Sequence, residues 1–195
     1  MASGSGTDAN AAAIERMRAG LVDAAARLAA ADARTEALAE YEAPRRVLLI
    51  PRAERLRPIG RVWRLGVILL GVSGSGADGG GDDHGADAPP ALYATGSVTR
   101  SHEPGRPTYQ AASAEHRRQL RAAAYRGHFA QGETVNYDAV PIALDESLVG
   151  SSGVLTVVDG HALVRWSPSD PDATTDFDAY LADRVGLLVD PPAGV

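Results

Sequence analysis

The chain has 195 residues, 45% of them apolar and 5% aromatic, and carries a formal net charge of −6. This length suffices for one domain with an ordinary core, built here mainly from alanine, valine, leucine and isoleucine. Cysteine is absent and all 19 basic residues are arginine, which excludes disulfides, thiolate metal sites, cysteine nucleophiles and Schiff-base or P-loop lysines.

The sequence shows no targeting or membrane segment. No basic start followed by an apolar core opens the chain. The longest strongly apolar run, residues 65–72, is far shorter than the ~20 residues that span a bilayer. We therefore expect a cytoplasmic protein that does not enter a membrane.

Charge is distributed unevenly along the chain. Residues 44–66 sum to +6 and residues 97–133 to +3, whereas residues 1–43, 67–96 and 134–195 sum to −3, −4 and −8. The two basic blocks either neutralise acidic elements elsewhere in the fold or form a basic groove for a phosphate or carboxylate ligand.

Residues 1–43 predict an N-terminal helical arm. From Asn10 to Glu42 the chain is rich in alanine and free of proline, and its apolar residues recur every three or four positions, at Ile14, Met17, Leu21, Ala24, Leu28, Ala31 and Leu38. This spacing predicts one apolar seam on a long helix or on two helices, ending before Pro44. The seam either covers the chain's own domain or pairs with a second copy to form a homodimer.

Residues 44–190 predict a single α+β domain. RVLLI at 46–50 is expected to form a short buried strand, and GRVWRLGVILLGV at 60–72 a central strand that is apolar on both faces. The glycine- and aspartate-rich residues 73–90 predict a flexible loop. Residues 91–100 predict a strand antiparallel to the preceding one.

The second half of the chain continues this pattern. Ser113 is expected to cap a helix that ends near Gly127, and residues 133–142 alternate like a strand. Asp159-Gly160 between two β-rich runs predicts a tight hairpin, and Asp176 predicts the cap of a last helix. Together, the predicted strands and helices form an α+β fold with an antiparallel sheet of about five or six strands and helices on one face.

Familiar motifs are missing or out of context. GSGADG at 74–79 matches G-x-G-x-x-G, but it runs into further glycines, aspartates and prolines that cannot open the helix a dinucleotide needs. The chain has no G-x-S-x-G and no H-E-x-x-H. His116 and His128 would lie about 120° apart around a helix. We expect neither a metal nor a cofactor.

The densest group of chemically active side chains surrounds SHEPGRPTYQ at 101–110, a loop that two prolines stiffen. Arginine binds carboxylate and phosphate bidentately, so this group and the polar residues that follow it predict ligand binding by Arg100, Arg106, Tyr109, Arg117, Arg121, Arg126 and Asn136. His102 with Glu103 or Asp138 would move a proton in an enzyme. The alternative is that the loop is only a surface turn.

Two functions follow from these residues. The first is a non-catalytic binding or accessory protein whose arginine-rich face takes a small anionic ligand or a protein partner. The second is a small amidase-like hydrolase or transferase that uses His102, Glu103 and Asp138 as acid–base groups. The negative net charge, the lack of lysine and the lack of a recognised motif argue against nucleic-acid binding.

The stretch from ATGSVTRSHEPGRPTY through RAAAYRGHFAQGETVNYDAVPI is similar to short actinobacterial proteins, some of which carry the label glutaminase. Arginine without lysine also indicates the GC-rich coding of such organisms. Serine-type glutaminases need a Ser–Lys pair, and class I amidotransferases need cysteine. Because the chain has neither lysine nor cysteine, the resemblance does not carry that activity over.

Overall fold

A computed structural model describes residues 3–47, 50–74, 89–105, 112–167, 170 and 172–192 of the chain. The α-helices in these ranges are α1 (Ser3–Ala30), α2 (Ala112–Arg126) and α3 (Phe177–Val189). Strands β1 to β6 are Glu36–Glu42, Arg45–Val47, Ile50–Arg52, Arg55–Leu65, Ile68–Gly71 and Leu92–Ala94. Strands β7 to β12 are Ser97–Arg100, Thr134–Tyr137, Val140–Pro141, Leu155–Val158, His161–Arg165 and Thr174–Asp176.

The main sheet has seven strands in the order β7-β8-β1-β4-β5-β6-β9. Its neighbours are antiparallel except β1 and β8, which run parallel. The α+β class is confirmed, but the sheet is mixed and larger than the expected antiparallel sheet of five or six strands. The difference arises at β1, whose alanine-rich sequence EALAEYE was expected to continue the N-terminal helix and instead joins β4 to β8.

The main sheet closes on itself. Two residues separate β6 from β7, and two residues separate β8 from β9. β6 pairs with β9 and β7 with β8 in the same antiparallel register, as in Tyr93↔Pro141 and Arg100↔Thr134. β7, at one end of the strand order, is therefore the continuation of β6, and β9, at the other end, is the continuation of β8. The result is a barrel of five strands: β1, β4, β5, β6–β7 and β8–β9.

The helices pack against the outside of this barrel. The largest core joins α1 and α3 to β4 and β5, and also to a smaller sheet of order β10-β11-β12. A second core joins α2 to β1, β4 and β8. The barrel interior holds the buried side chains Leu38, Val62 and Leu69. None of the described helices is long and apolar enough to cross a membrane.

The N-terminal seam is confirmed only where the chain is helical. Its buried members on α1 are Ile14, Met17, Leu21, Ala24 and Leu28. The helix ends at Ala30, so Ala31 and Leu38 do not belong to it, and the expected helical arm contributes a helix and a central strand. Because the seam is buried in the chain's own core, a homodimer through α1 would need another face of that helix.

Two predictions that rest on local signals, the hairpin turn and the cap of the last helix, are confirmed. Asp159 and Gly160 form the turn between β10 and β11, both with positive φ. α2 begins at Ala112 and ends at Arg126, one residue before the expected limit, so Ser113 lies inside its first turn and does not cap it as predicted. The carboxylate of Asp176 caps α3 by accepting a hydrogen bond from the amide of Ala179 at 3.0 Å.

Two strand predictions are corrected. Of the predicted strand RVLLI at 46–50, Arg46 and Val47 belong to β2 and Ile50 to β3, and these two short strands form a separate two-stranded sheet. GRVWRLGVILLGV is interrupted at Gly66, where φ is +68°, and forms the hairpin of β4 and β5 rather than one strand. Most of the predicted loop at 73–90 lies outside the described residues.

Candidate anion-binding site

Helix α2 presents two arginines beside the barrel. Its residues Ala122, Ala123 and Ala124 are buried, and such small side chains let the helix axis approach the sheet closely. Arg117 and Arg121 are four positions apart and therefore lie on the same side of the helix. Both are exposed, next to β7.

Arg117 and Arg121 line a cleft of about 430 Å³ together with Arg100 from the end of β7. Threonine hydroxyls and apolar walls complete the cleft, whose other lining residues are Glu36, Val98, Thr99, Leu120 and Thr134. Three of the arginines predicted to bind a ligand therefore converge. The cleft can offer guanidinium and hydroxyl donors to an anion.

The three cleft arginines differ from several other arginines of the described residues, which form ion pairs with carboxylates. These ion pairs include Arg18–Glu15, Arg55–Glu42, Arg57–Glu40, Arg61–Glu133, Arg118–Glu115 and Arg126–Glu54. Arg100, Arg117 and Arg121 have no side-chain hydrogen bond or ion pair with another residue in the described part of the chain. Their positive charge is therefore not neutralised by a contact within these ranges.

Asn136 supports the cleft from behind instead of lining it. Its side chain is 1% exposed on the interior side of the barrel. The amide oxygen accepts a bond from Arg64 Nη1 at 2.6 Å, and the amide nitrogen donates to Glu36 Oε2 at 2.8 Å and to the carbonyl of Ala37 at 3.2 Å. Asn136, which was predicted to contact a ligand, is thus a buried residue whose side-chain amide orients the Glu36 carboxylate.

The three predicted acid–base residues do not all come together. His102 Nδ1 lies 2.8 Å from Gln131 Nε2, and the amide of Glu103 donates to Gln131 Oε1 at 3.1 Å. Asp138 adjoins Gly96, five residues before Ser101, which places it about 16 Å away along the strand. The β7–β8 register therefore separates Asp138 from His102.

The remaining predicted contacts lie elsewhere. Arg126 follows Arg121 by five residues, so it projects about 140° around the helix. Its Nε donates to the carbonyl of Glu54 at 2.7 Å, and its Nη2 lies 3.6 Å from the Glu54 carboxylate. Arg106 and Tyr109 are outside the described residues.

Sequence reasoning missed the rim of the cleft. Glu36 went unnoticed because its segment was predicted to be helical, and Thr134 because nothing local shows that it borders Arg100. In the parts of the chain that the structure describes, no group of three or more histidine, aspartate or glutamate side chains is placed to hold a metal ion.

Comparison of the chain with protein-family models, with curated proteins and with solved structures finds no match. The resemblance to short actinobacterial proteins stays a prediction. The geometry and charge of the cleft are therefore the features from which a function is inferred.

Proposed function

We propose that the protein is a non-catalytic binding protein that takes a small phosphate- or carboxylate-bearing ligand in the cleft of Arg100, Arg117 and Arg121. The observation that supports this best is the convergence of three arginines without a carboxylate partner among the described residues. The chain as a whole carries −6, so this attraction for anions is a local property of the cleft.

The cleft suits recognition of an anion that also carries a hydrogen-bond donor. Arginine guanidinium groups bind phosphate and carboxylate oxygens with two parallel hydrogen bonds. The Glu36 carboxylate, oriented by Asn136, is an acceptor at the rim. A ligand hydroxyl or amine would pair with Glu36 while the anionic group faces the arginines.

The enzyme alternative has less support. Of the described residues that line the cleft, Glu36 is the only carboxylic acid, and none is a histidine. His102 and Glu103 are bound to Gln131 outside that lining, and Asp138 is remote from both. A general acid–base step needs its groups within hydrogen-bond reach of one another and of a substrate.

Isothermal titration calorimetry with inorganic pyrophosphate at low salt tests the proposal. We expect wild-type protein to bind pyrophosphate, and Arg121→Gln to weaken the affinity about tenfold or more, because a charge-assisted hydrogen bond is lost. Arg118→Gln is the matched control on the same helix, since Arg118 is paired with Glu115. The proposal fails if wild-type protein does not bind pyrophosphate or if both variants lose the same affinity.

A further inference from the structure

The cleft runs over the outer edge of β7. Val98 pairs with Asn136, so its side chain lies on the interior side of the barrel, whereas Thr99 pairs with Val135 on the side of α2. Side chains from both faces of the strand line the same cleft. Because β8 occupies the other edge of β7, the cleft must cross the edge that β8 leaves open.

The backbone at this edge has unused hydrogen-bonding groups. The amide of Ser101 donates to the carbonyl of Glu133. This bond shows which residues of β7 direct their backbone groups toward β8 and which direct them away from it. Backbone groups of Thr99 therefore point toward β8, and those of Val98 and Arg100 point outward. No strand among the described residues pairs with the outer edge. An edge of this kind is a template for another strand.

The positive charge beside this edge indicates which kind of peptide would bind there as an additional strand. The side chains along the edge include Arg100, with Arg117 and Arg121 beside it on α2, while Val98 is 51% exposed and offers an apolar contact. An extended acidic segment would match both the backbone pattern and the arginines. Peptides bind other sheet edges in this way, with main-chain bonds giving affinity and side-chain pockets giving specificity.

We propose that β7 accepts an extended acidic peptide segment of a partner protein as an additional strand. The carboxylates or phosphates of the segment are held by Arg100, Arg117 and Arg121, so the inference rests on the proposed function of the cleft. The outward amides and carbonyls of Val98 and Arg100 bind the peptide backbone. The protein then recognises both an anionic group and the main chain that carries it.

Fluorescence anisotropy with a labelled eight-residue peptide of alternating valine and glutamate tests this inference. A fully N-methylated peptide of the same sequence keeps the charges but cannot donate backbone hydrogen bonds. We expect the unmethylated peptide to bind at least about tenfold more tightly, because it adds backbone bonds to the ionic contacts. Equal binding of the two peptides would overturn the inference. A version with phosphoserine in place of one glutamate shows whether phosphate or carboxylate is preferred.

The variant Val98→Pro tests the same inference by a change in the protein instead of in the peptide. The amide of Val98 points outward, so proline removes a donor at the edge without removing a bond to β8. We expect this variant to bind the peptide at least about tenfold more weakly than Val98→Ala, which also shortens the side chain but keeps the amide donor. If Val98→Pro binds the peptide like wild type, the edge is not used. If Val98→Pro does not fold, the N-methylated peptide on wild-type protein decides. Absence of pyrophosphate binding to wild-type protein would instead contradict the proposed function itself.

Discussion

At the scale of single residues, the buried amide of Asn136 shows how a polar group inside the barrel shapes the surface outside it. Its carbonyl oxygen and its amide nitrogen are bonded to Arg64, Glu36 and the carbonyl of Ala37. A buried network with every member paired is rigid, and loss of one member leaves the others without partners. Asn136 therefore contributes to both the stability of the barrel and the position of Glu36.

Asn136→Ala is expected to lower the free energy of unfolding by about 1–3 kcal/mol, because it leaves buried polar groups unpaired. Chemical denaturation followed by circular dichroism measures this change. Gln119→Ala, an exposed amide on α2, is the control and should change stability by less than about 0.5 kcal/mol. Equal effects of the two substitutions would show that the Asn136 network does not stabilise the fold.

Sequence reasoning identified the cleft arginines but not what lies behind them. Arg100, Arg117 and Arg121 stand out because they fall within one basic block around a helix. The burial of Asn136 cannot be recognised from its own segment, since it depends on β1 as the neighbouring strand. Likewise, only the β7–β8 register shows that Asp138 is far from His102.

At the scale of elements, α3 is tied to the β4–β5 turn by one side chain. The hydroxyl of Tyr180 donates to the carbonyl of Leu65 at 2.8 Å and accepts from the amide of Val67 at 2.9 Å. Between them lies Gly66, whose φ is +68°. A Cβ at Gly66 would overlap with the Tyr180 hydroxyl, so glycine is required for both conformation and contact.

Gly66→Ala is predicted to destabilise the protein more than Gly150→Ala. Both glycines have nearly the same φ, +68° and +66°, but no atom of the described residues lies within 4 Å of the position that a Cβ would take at Gly150. The conformational cost of about 1 kcal/mol is common to both, and the displacement of Tyr180 is added only at Gly66. Thermal denaturation of the two variants gives the difference. Equal melting temperatures would contradict the role of the Tyr180 contact.

The elements that the sequence predicted well are those with a local cause. Asp159-Gly160 turns the chain by its own conformational preference, and Asp176 caps α3 through its own side chain. EALAEYE has good helix formers, yet it becomes β1 because all seven of its residues pair with β4. Its second partner, β8, lies far along the chain, with Ala37 paired to Val135, so tertiary contact overrides local propensity.

At the scale of the whole molecule, ion pairs at the surface link stability to pH. The Arg55 guanidinium beside Glu42 lowers the pKa of that carboxyl below its usual 4.5, and Arg118 does the same to the pKa of Glu115. Hydrogen bonds from Ser147 lower the pKa of Asp145 below 3.8. Each of these carboxylates is therefore favoured in its charged form by the folded state.

Stability is expected to fall as the solution is acidified. A carboxyl whose pKa is lower in the folded state contributes stability above its unfolded pKa, and this contribution is lost as pH falls through the folded pKa. The melting temperature should therefore decrease from about pH 5 to about pH 3. The double variant Glu42→Gln, Glu115→Gln should show a shallower decrease, as measured by scanning calorimetry. An identical pH dependence of both proteins would contradict this account.

The central claim, that the cleft of Arg100, Arg117 and Arg121 binds anions, is tested most directly by an amide NMR titration of the protein with pyrophosphate. Binding in the cleft predicts chemical-shift changes concentrated at residues 98–100, 117–121 and 134, with little change in the β2–β3 hairpin. The arginine-rich hairpin, with Arg45 opposite Arg52, is an internal comparison for nonspecific attraction. Changes spread equally over both basic regions, or confined to the hairpin, would contradict the claim.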